Sequence, residues 1–351
     1  MSETQTTQQA LVLPVAKGEF TFSSMPIPSP APGTVLVRNS AVALNLVEWK
    51  MQRTGFLSEL MTFPTPLGSD FAGIVVSVGQ GVTTLQKGDR VISQGNVNPE
   101  RAAFQEYTIA SAEYTAKVPA SVSLDAAATL SMGLVTAATG LYNATTLGAG
   151  LRAPWEENGR GYYKGTSILI IGGASSVGCY AIQLAKLSGF APIYTTASLK
   201  HTAYLISLGA SHVLDRNQPL ASVLPNPNEK FSIIYDAISE PDTQRATAAL
   251  LAPEGTLVLV HAALADLDLT EGKKAKLVFG SVFHPANIAI GTGLFTNLEK
   301  YLEDGDITPN RIEVLVGGLK GIVGGLKRLE EGTVSGVKLV VRPGETVDID
   351  C

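Results

Sequence analysis

Seven residues, GGASSVG from Gly172 to Gly178, lie between an apolar run, SILII (Ser167–Ile171), and a segment in which Val177, Tyr180, Ala181, Leu184 and Leu187 recur at helical spacing. A strand, a glycine-rich turn and a helix start form a phosphate cradle, because the first backbone N–H groups of the helix have no partner within it and its dipole favours an anion. Gly173, Ser175 and Gly178 stand at the three positions of a dinucleotide-binding turn, with Ser175 where the middle glycine falls and Ser176 and Val177 completing the turn. A glycine turn that merely packs a helix on a strand reads the same way when taken alone. The end of the next strand is more discriminating: YTTASLKH carries no carboxylate for a ribose 2′-hydroxyl, but has Ser198, Lys200 and His201, and Arg216 follows the third strand in VLDRN. A hydroxyl among cations suits a 2′-phosphate, so the expected cofactor is NADPH. Solvated charges at loop ends are the alternative for each residue singly.

These groups require a scaffold large enough to hold them. A chain of 351 residues exceeds one ordinary domain, and 45% hydrophobic content supplies a substantial core, so two domains are expected. A net charge of −5 with no block of like charges argues against nucleic-acid and membrane-surface partners. The polar start MSETQTTQQALVLP lacks the apolar core of a signal peptide, so a soluble, cytoplasmic protein is expected. The two cysteines, Cys179 and Cys351, cannot build a disulfide framework or a cysteine-rich zinc site. Up to about Val118, short Val-, Ile- and Thr-rich runs alternate with Pro, Gly and Asn, which predicts a mostly β domain. From Ser167 strands alternate with helical patterns, which predicts a doubly wound parallel sheet. LGAGLRAPWEENGRGYYKG between them reads as an exposed connecting loop, and the last helix and strand are expected to rejoin the first domain. The expected limits are residues 1–134, 135–305 and 306–351.

Several longer motifs carry a family resemblance. PLGSDFAGIVVSVGQGVTTLQKGDRVI, AVALNLVEWK, AATLSMGLVTAATGLY, GGASSVG, LGASHVLD and GTVSGVKLVVRP resemble the medium-chain dehydrogenase/reductase superfamily over nearly the whole chain. The nearest pattern is the zinc-free quinone-reductase-like branch, especially fungal enoyl reductases that act in trans with polyketide synthases. The resemblance implies a GroES-like, mostly β catalytic domain and a Rossmann cofactor domain. Zinc alcohol dehydrogenases of this superfamily hold their metal with an early Cys, the His of Gly-His-Glu and a later Cys or acid; here Asn45 stands near the first position and Ser69 at the second. No metal is expected.

Without a Lewis acid, the substrate has to be electrophilic already, such as an alkene conjugated to a carbonyl. Hydride then goes to the β-carbon, charge builds on the carbonyl oxygen as an enolate, and the α-carbon takes a proton. The resemblance places Lys50 and Thr136 beside the nicotinamide, with Lys50 as oxyanion stabiliser or proton source and Asn45 orienting nicotinamide or substrate. Lys50 with its amine simply in water and Thr136 bonded to its own helix are the structural alternatives. Leu46 and Glu48 depart from the Pro and Asp usual in this branch. The resemblance adds Val47, Val260 and Val337 as cofactor contacts and Met132 as a substrate contact. Phe279 and Phe283 line the substrate or belong to the core. The expected activity is NADPH-dependent reduction of an enoyl thioester, free or on a polyketide acyl carrier, with quinone or 2-alkenal reduction and a non-catalytic NADPH-binding protein as alternatives. Pro285, in LVFGSVFHPANIAIG, is expected to interrupt sheet pairing between subunits and to favour a monomer.

Overall fold

The computed structural model describes residues 6–144 and 146–346; Met1–Gln5 and Cys351 lie outside them. Two compact units result. One holds the described chain up to Met132, Leu298–Glu303 and the chain from Pro309; the other holds Gly133–Asn297 and Asp304–Thr308.

The first unit is built on strands. β1 (Thr7–Leu13), β2 (Thr21–Pro26), β3 (Thr34–Ala43), α1 (Leu46–Thr54), β4 (Thr65–Pro66), β5 (Asp70–Val78), β6 (Arg90–Gln94), β7 (Tyr107–Ser111), β8 (Thr115–Lys117) and α2 (Leu124–Ala127) follow in order, and α3 (Ser131–Tyr142) begins here. The chain returns as β15 (Ile312–Val314), α9 (Gly321–Glu330) and β16 (Lys338–Val341). β3 is the hub: it pairs antiparallel with β5, β7 and β16 within the sheet β15-β16-β3-β5-β6-β8. Both edges of β3 are therefore paired, and its side chains are buried except for the half-buried Ser40 and the exposed Arg38. Asp70 and Lys338, each the first residue of its strand, flank the Ala43 end of β3, which runs directly into α1.

The second unit has the expected alternation: β9 (Ile168–Ile171), α4 (Ser176–Ser188), β10 (Ile193–Ala197), α5 (Thr202–Leu208), β11 (His212–Asp215), α6 (Leu220–Val223), β12 (Phe231–Asp236), α7 (Pro241–Leu250), β13 (Leu251–Leu259), β14 (Lys274–Leu277) and α8 (Ile288–Glu303). All neighbouring pairs are parallel, in the order β11-β10-β9-β12-β13-β14. The order reverses between β9 and β12, so the connections after these strands diverge and leave a crevice at their carboxyl ends. α4 starts at that crevice because Ser175 accepts from the Gly178 N–H, and it stops at Gly189, whose φ of 91° only glycine adopts readily. Among the described residues, one helical stretch, Leu124–Tyr142, is long and apolar enough to cross a membrane, and 78% of its apolar window is buried inside the protein.

Two expectations change. The segment read as an exposed connecting loop is folded onto the second unit. Gly161 and Tyr163 donate backbone bonds to Leu187 and Ser188 at the end of α4, Ala153 is fully buried, and the Tyr163 ring stacks on Phe190 at 4.7 Å. Its aromatic residues are the physical reason, since the half-buried Tyr163 ring packed on Phe190 at the helix end outweighs the polar surroundings. Pro285 lies outside any strand and heads a 3-10 turn before α8, so the interruption expected from it does not bear on the free edge of β14.

Tyr163→Ala removes the stack and the hydroxyl that accepts from the Arg152 N–H. It is expected to cost about 1–3 kcal/mol in denaturant unfolding. An unchanged midpoint would return this loop to the status of a linker.

Candidate active site

In the second unit the glycine turn follows β9 with little room to spare. A Cβ on Gly173 would lie 2.1 Å from Thr195 Oγ1, so the backbone there passes directly against β10. The Gly173 N–H donates to the Thr196 carbonyl and the Gly172 N–H to Thr196 Oγ1, which pins the turn to β10. Ser175 caps α4, and Ser176 and Val177 form its first turn. This is a cradle with no side chain on its glycines, at a helix N-terminus, and it fits a pyrophosphate.

Ser198, Lys200 and Arg216 gather at the carboxyl ends of β10 and β11. Ala197 pairs with Asp215 across the two strands, and the Arg216 N–H donates to the Ala197 carbonyl, so the residues beyond both strands emerge side by side. Lys200 and Arg216 are exposed and Ser198 is half-buried, whereas His201 is buried. Val260 immediately follows β13, and its N–H donates to Ser239 Oγ, which in turn donates to the Asp236 carbonyl at the end of β12. Burial pushes the Asp236 carboxyl up from its ordinary value, against the hydrogen bonds it accepts from the Thr243 hydroxyl and the Ser239 and Ile238 N–H groups.

Thr136 lies in the second turn of α3. The fully buried Tyr235 donates its hydroxyl to the Thr136 carbonyl, and burial keeps that phenol protonated. A Cβ on Gly280 would stand 2.0 Å from Thr136 Oγ1, so the segment Val278–Phe283 reaches Thr136 only because residue 280 is glycine. Phe279 and Phe283 are half-buried there, and Val282 is core. Two residues the sequence did not single out hold this segment: Asn287 Nδ2 donates to the Phe279 and Ser281 carbonyls, and Asn143 Nδ2 donates to Asn287 Oδ1.

In the first unit the residues around Asn45 form a closed polar cluster. The Lys338 ammonium lies 2.9 Å from Asp70 Oδ2 and 2.5 Å from Asn45 Oδ1, with its side chain 5% exposed. Asn45 Nδ2 donates to Asp70 Oδ2 and to Glu48 Oε1. Glu48, fully buried in the first turn of α1, also accepts from the backbone N–H groups of Asn45 and Ser69. Asp70 Oδ1 takes the Ser131 hydroxyl at 2.5 Å and the Met132 N–H at 2.6 Å, where α3 begins. Burial, with the nearby Asp70 charge adding to it, pushes the Glu48 carboxyl up to about 7, against the opposing N–H of Asn45 and the Lys338 charge. Val47 and Lys50 follow on α1, both half-buried, with the Lys50 ammonium 5.8 Å from the centroid of the Trp49 ring. Val337 precedes Lys338 and is half-buried, as is Met132.

The sequence reading passed over Lys338, Asp70 and Ser131 as a cluster. The available signal was a lysine leading the apolar run KLVV, since a charge in a buried strand needs a partner. Zinc does not fit these positions. The Asn45 amide is held between the lysine and both carboxylates, the Ser69 N–H serves Glu48, and among the described residues no group of three or more His, Cys, Asp or Glu side chains could hold a metal ion.

A GroES-like β unit and a doubly wound parallel sheet with a dinucleotide turn together define a nicotinamide-dependent oxidoreductase. Residues 31–120 match the alcohol dehydrogenase GroES-like domain, and residues 176–283 match the zinc-binding dehydrogenase family. The chain is 32% identical over 370 residues to the trans-enoyl reductase tndF of Aspergillus flavipes, covering 95% of this chain and 98% of that one. It is 40% identical over 202 residues to the dehydrogenase pigH of Monascus ruber, a match that spans 54% of this chain and about half (52%) of that relative's length. A crystal structure of an alcohol dehydrogenase superfamily protein from Novosphingobium aromaticivorans superposes with a TM-score of 0.78 at 23% identity, over 97% of this chain and 100% of that one. The chain belongs to the medium-chain dehydrogenase/reductase superfamily and is an oxidoreductase.

The raised Glu48 pKa has a consequence for stability. The folded chain holds this proton more tightly than the unfolded chain, in which a glutamate titrates near 4.5. The resulting stabilisation is complete below about pH 4.5 and is lost as the pH rises through about 7. Unfolding free energy should therefore fall by about 1–3 kcal/mol more between about pH 5 and 8 in the wild type than in Glu48→Gln. Equal pH slopes in urea titrations of the two proteins would contradict this assignment.

Proposed function

We propose that the chain uses NADPH to reduce the carbon–carbon double bond of an enoyl thioester, without a metal. The observation that carries this reading is the donor set of the first unit. Asn45, near one metal-ligand position of related alcohol dehydrogenases, and Ser69, at another, serve a cluster centred on Lys338, and among the described residues no group of three or more His, Cys, Asp or Glu side chains could hold a Lewis-acid metal. A reaction that needs no such polarisation starts from a conjugated alkene. The name of the relative tndF, a trans-enoyl reductase, supports the same substrate class.

Each of the chain's own residues has a part in this proposal. Gly173, Ser175, Ser176, Val177 and Gly178 cradle the pyrophosphate, while Ser198, Lys200 and Arg216 take the 2′-phosphate. The family resemblance assigns Val47, Val260 and Val337 to the nicotinamide. When bound, NADPH supplies hydride for the β-carbon. Lys50 donates a hydrogen bond to the carbonyl oxygen as enolate charge grows there, or delivers the proton to the α-carbon. Thr136 orients the thioester, Asn45 keeps α1 in register, and Met132, Phe279 and Phe283 receive the acyl chain. The preferred substrate is carried by a thiol arm, such as that of a polyketide acyl carrier.

Three outcomes test this. The enzyme, stripped with a strong chelator, should oxidise NADPH in the presence of a crotonyl-type thioester as fast as before; loss of turnover restored by zinc would overturn the metal-free reaction. Lys200→Ala should weaken NADPH binding by at least roughly fivefold and leave NADH nearly unchanged, the limit set by a charge-assisted bond at an exposed site. Equal losses would remove Lys200 from the phosphate pocket. Lys50→Ala should lower kcat by about 10²-fold or more with NADPH affinity nearly intact, as for a group that acts on developing charge. An unchanged kcat would leave Lys50 without a catalytic part.

A further inference from the structure

We propose that Lys338 is a positioning residue for the reductase site: through Asn45 and Asp70 it fixes the N-terminal turn of α1, and with it the placement of Lys50. The inference rests on the reading of Lys50 given above, and its structural half stands independently of that reading.

The geometry carries it in three steps. First, the cluster contains two carboxylates, Glu48 and Asp70, and one cation, all buried. Without the ammonium, two acids would face each other through Asn45 with nothing to balance them, and a buried unpaired charge is strongly unfavourable. Second, the lysine sets the orientation of the Asn45 amide. Its oxygen accepts from the ammonium, which turns both amide N–H groups towards the carboxylates. Third, Asn45 is the residue from which α1 starts, and Glu48 reaches back to its N–H. α1 has only 9 residues, too few to hold its shape by helical hydrogen bonding alone, so its course depends on how its ends are fixed. The C-terminal end is closed by Gly55 in the left-handed region and held by Gln52 and Arg53, which meet Gly18, Glu19 and Glu330, so the Lys338 cluster is the anchor of the opposite, N-terminal end. Lys50 lies five residues beyond Asn45, within the second turn.

Asp70 extends the same control to the start of α3. Both of its oxygens are taken: one by Lys338 and Asn45, the other by the Ser131 hydroxyl and the Met132 N–H. Losing the ammonium would free this carboxylate to reorient, so the first residues of α3 would loosen together with α1.

The test uses the full-length enzyme as wild type, Lys338→Met and Lys338→Arg, with two readouts. In amide hydrogen exchange, Lys338→Met should speed exchange selectively over residues 46–54 and at the start of α3, with the strands of the second unit unchanged. In steady-state reduction of a crotonyl thioester, Lys338→Met should lose at least roughly tenfold in kcat while the thioester KM and NADPH affinity stay within about threefold. Lys338→Arg should recover most of kcat and of the exchange protection, because a second cation can meet Asn45 and Asp70. Should Lys338→Met fail to fold, Asn45→Ala removes the amide link while keeping the ion pair, and the same exchange and kcat changes are expected. Unchanged exchange over α1 in a folded variant overturns the proposal whatever the activity. A loss confined to KM or NADPH affinity overturns it too, by making Lys338 a binding residue. Wild type without activity on any enoyl thioester would instead refute the functional reading, and the exchange arm would still decide whether Lys338 anchors α1.

Discussion

A buried ammonium between an amide and a carboxylate organises the first unit. Burying Lys338, Asp70 and Glu48 together is costly, and the cost is offset only because nearly every polar atom has a partner: Asn45 reads both signs of charge, Ser69 and Asn45 lend backbone N–H groups, and Ser131 and Met132 complete Asp70. Such a cluster tolerates few rearrangements. It ties the start of β16, the start of β5, the first turn of α1 and the first residues of α3 to one point, although these segments are up to 293 residues apart in sequence. The hub position of β3, which delivers the chain into α1 between β5 and β16, makes that convergence possible.

The second unit is governed by close approach of backbone. The turn after β9 can press on β10 because Gly173 has no side chain, and the segment after β14 can reach Thr136 because Gly280 has none. In both places the contact is made by main chain, whose N–H and C=O groups are fixed in direction. The buried Asn143–Asn287 pair then holds the second of these segments with side-chain amides where no sheet ladder is available.

Most of the fold was legible in the sequence, because strand and helix periods and glycine punctuation are local. The βα alternation from Ser167, the glycine turn and the cap at Ser175 needed nothing beyond neighbouring residues. The residues emerging beyond β10 were legible for the same reason, since strand ends in a parallel sheet collect on one edge. His201 was not: a basic residue in a loop sequence can be turned inward by the helix that follows, and here it is buried. The packed loop before β9 was misjudged because its polar residues mask the few aromatic rings that decide its course. The Lys338 cluster was hidden for a different reason. Its members come from four separated segments, each carrying one or two ordinary polar residues, and only the three-dimensional pairing of β3 with β5 and β16 brings them together.

The chemistry attributed to the chain turns on a conjugated alkene being reduced at its β-carbon by the nicotinamide, with the enolate held by protein donors and not by a metal. The most direct measurement follows the hydride itself: chelator-treated enzyme is given a crotonyl thioester and NADPH deuterated at the transferred position, and the butyryl product is examined by NMR. Deuterium at the β-carbon, with the α-carbon proton drawn from water, is the predicted result. Absence of reduced product, or deuterium at the carbonyl carbon of an alcohol, would contradict it.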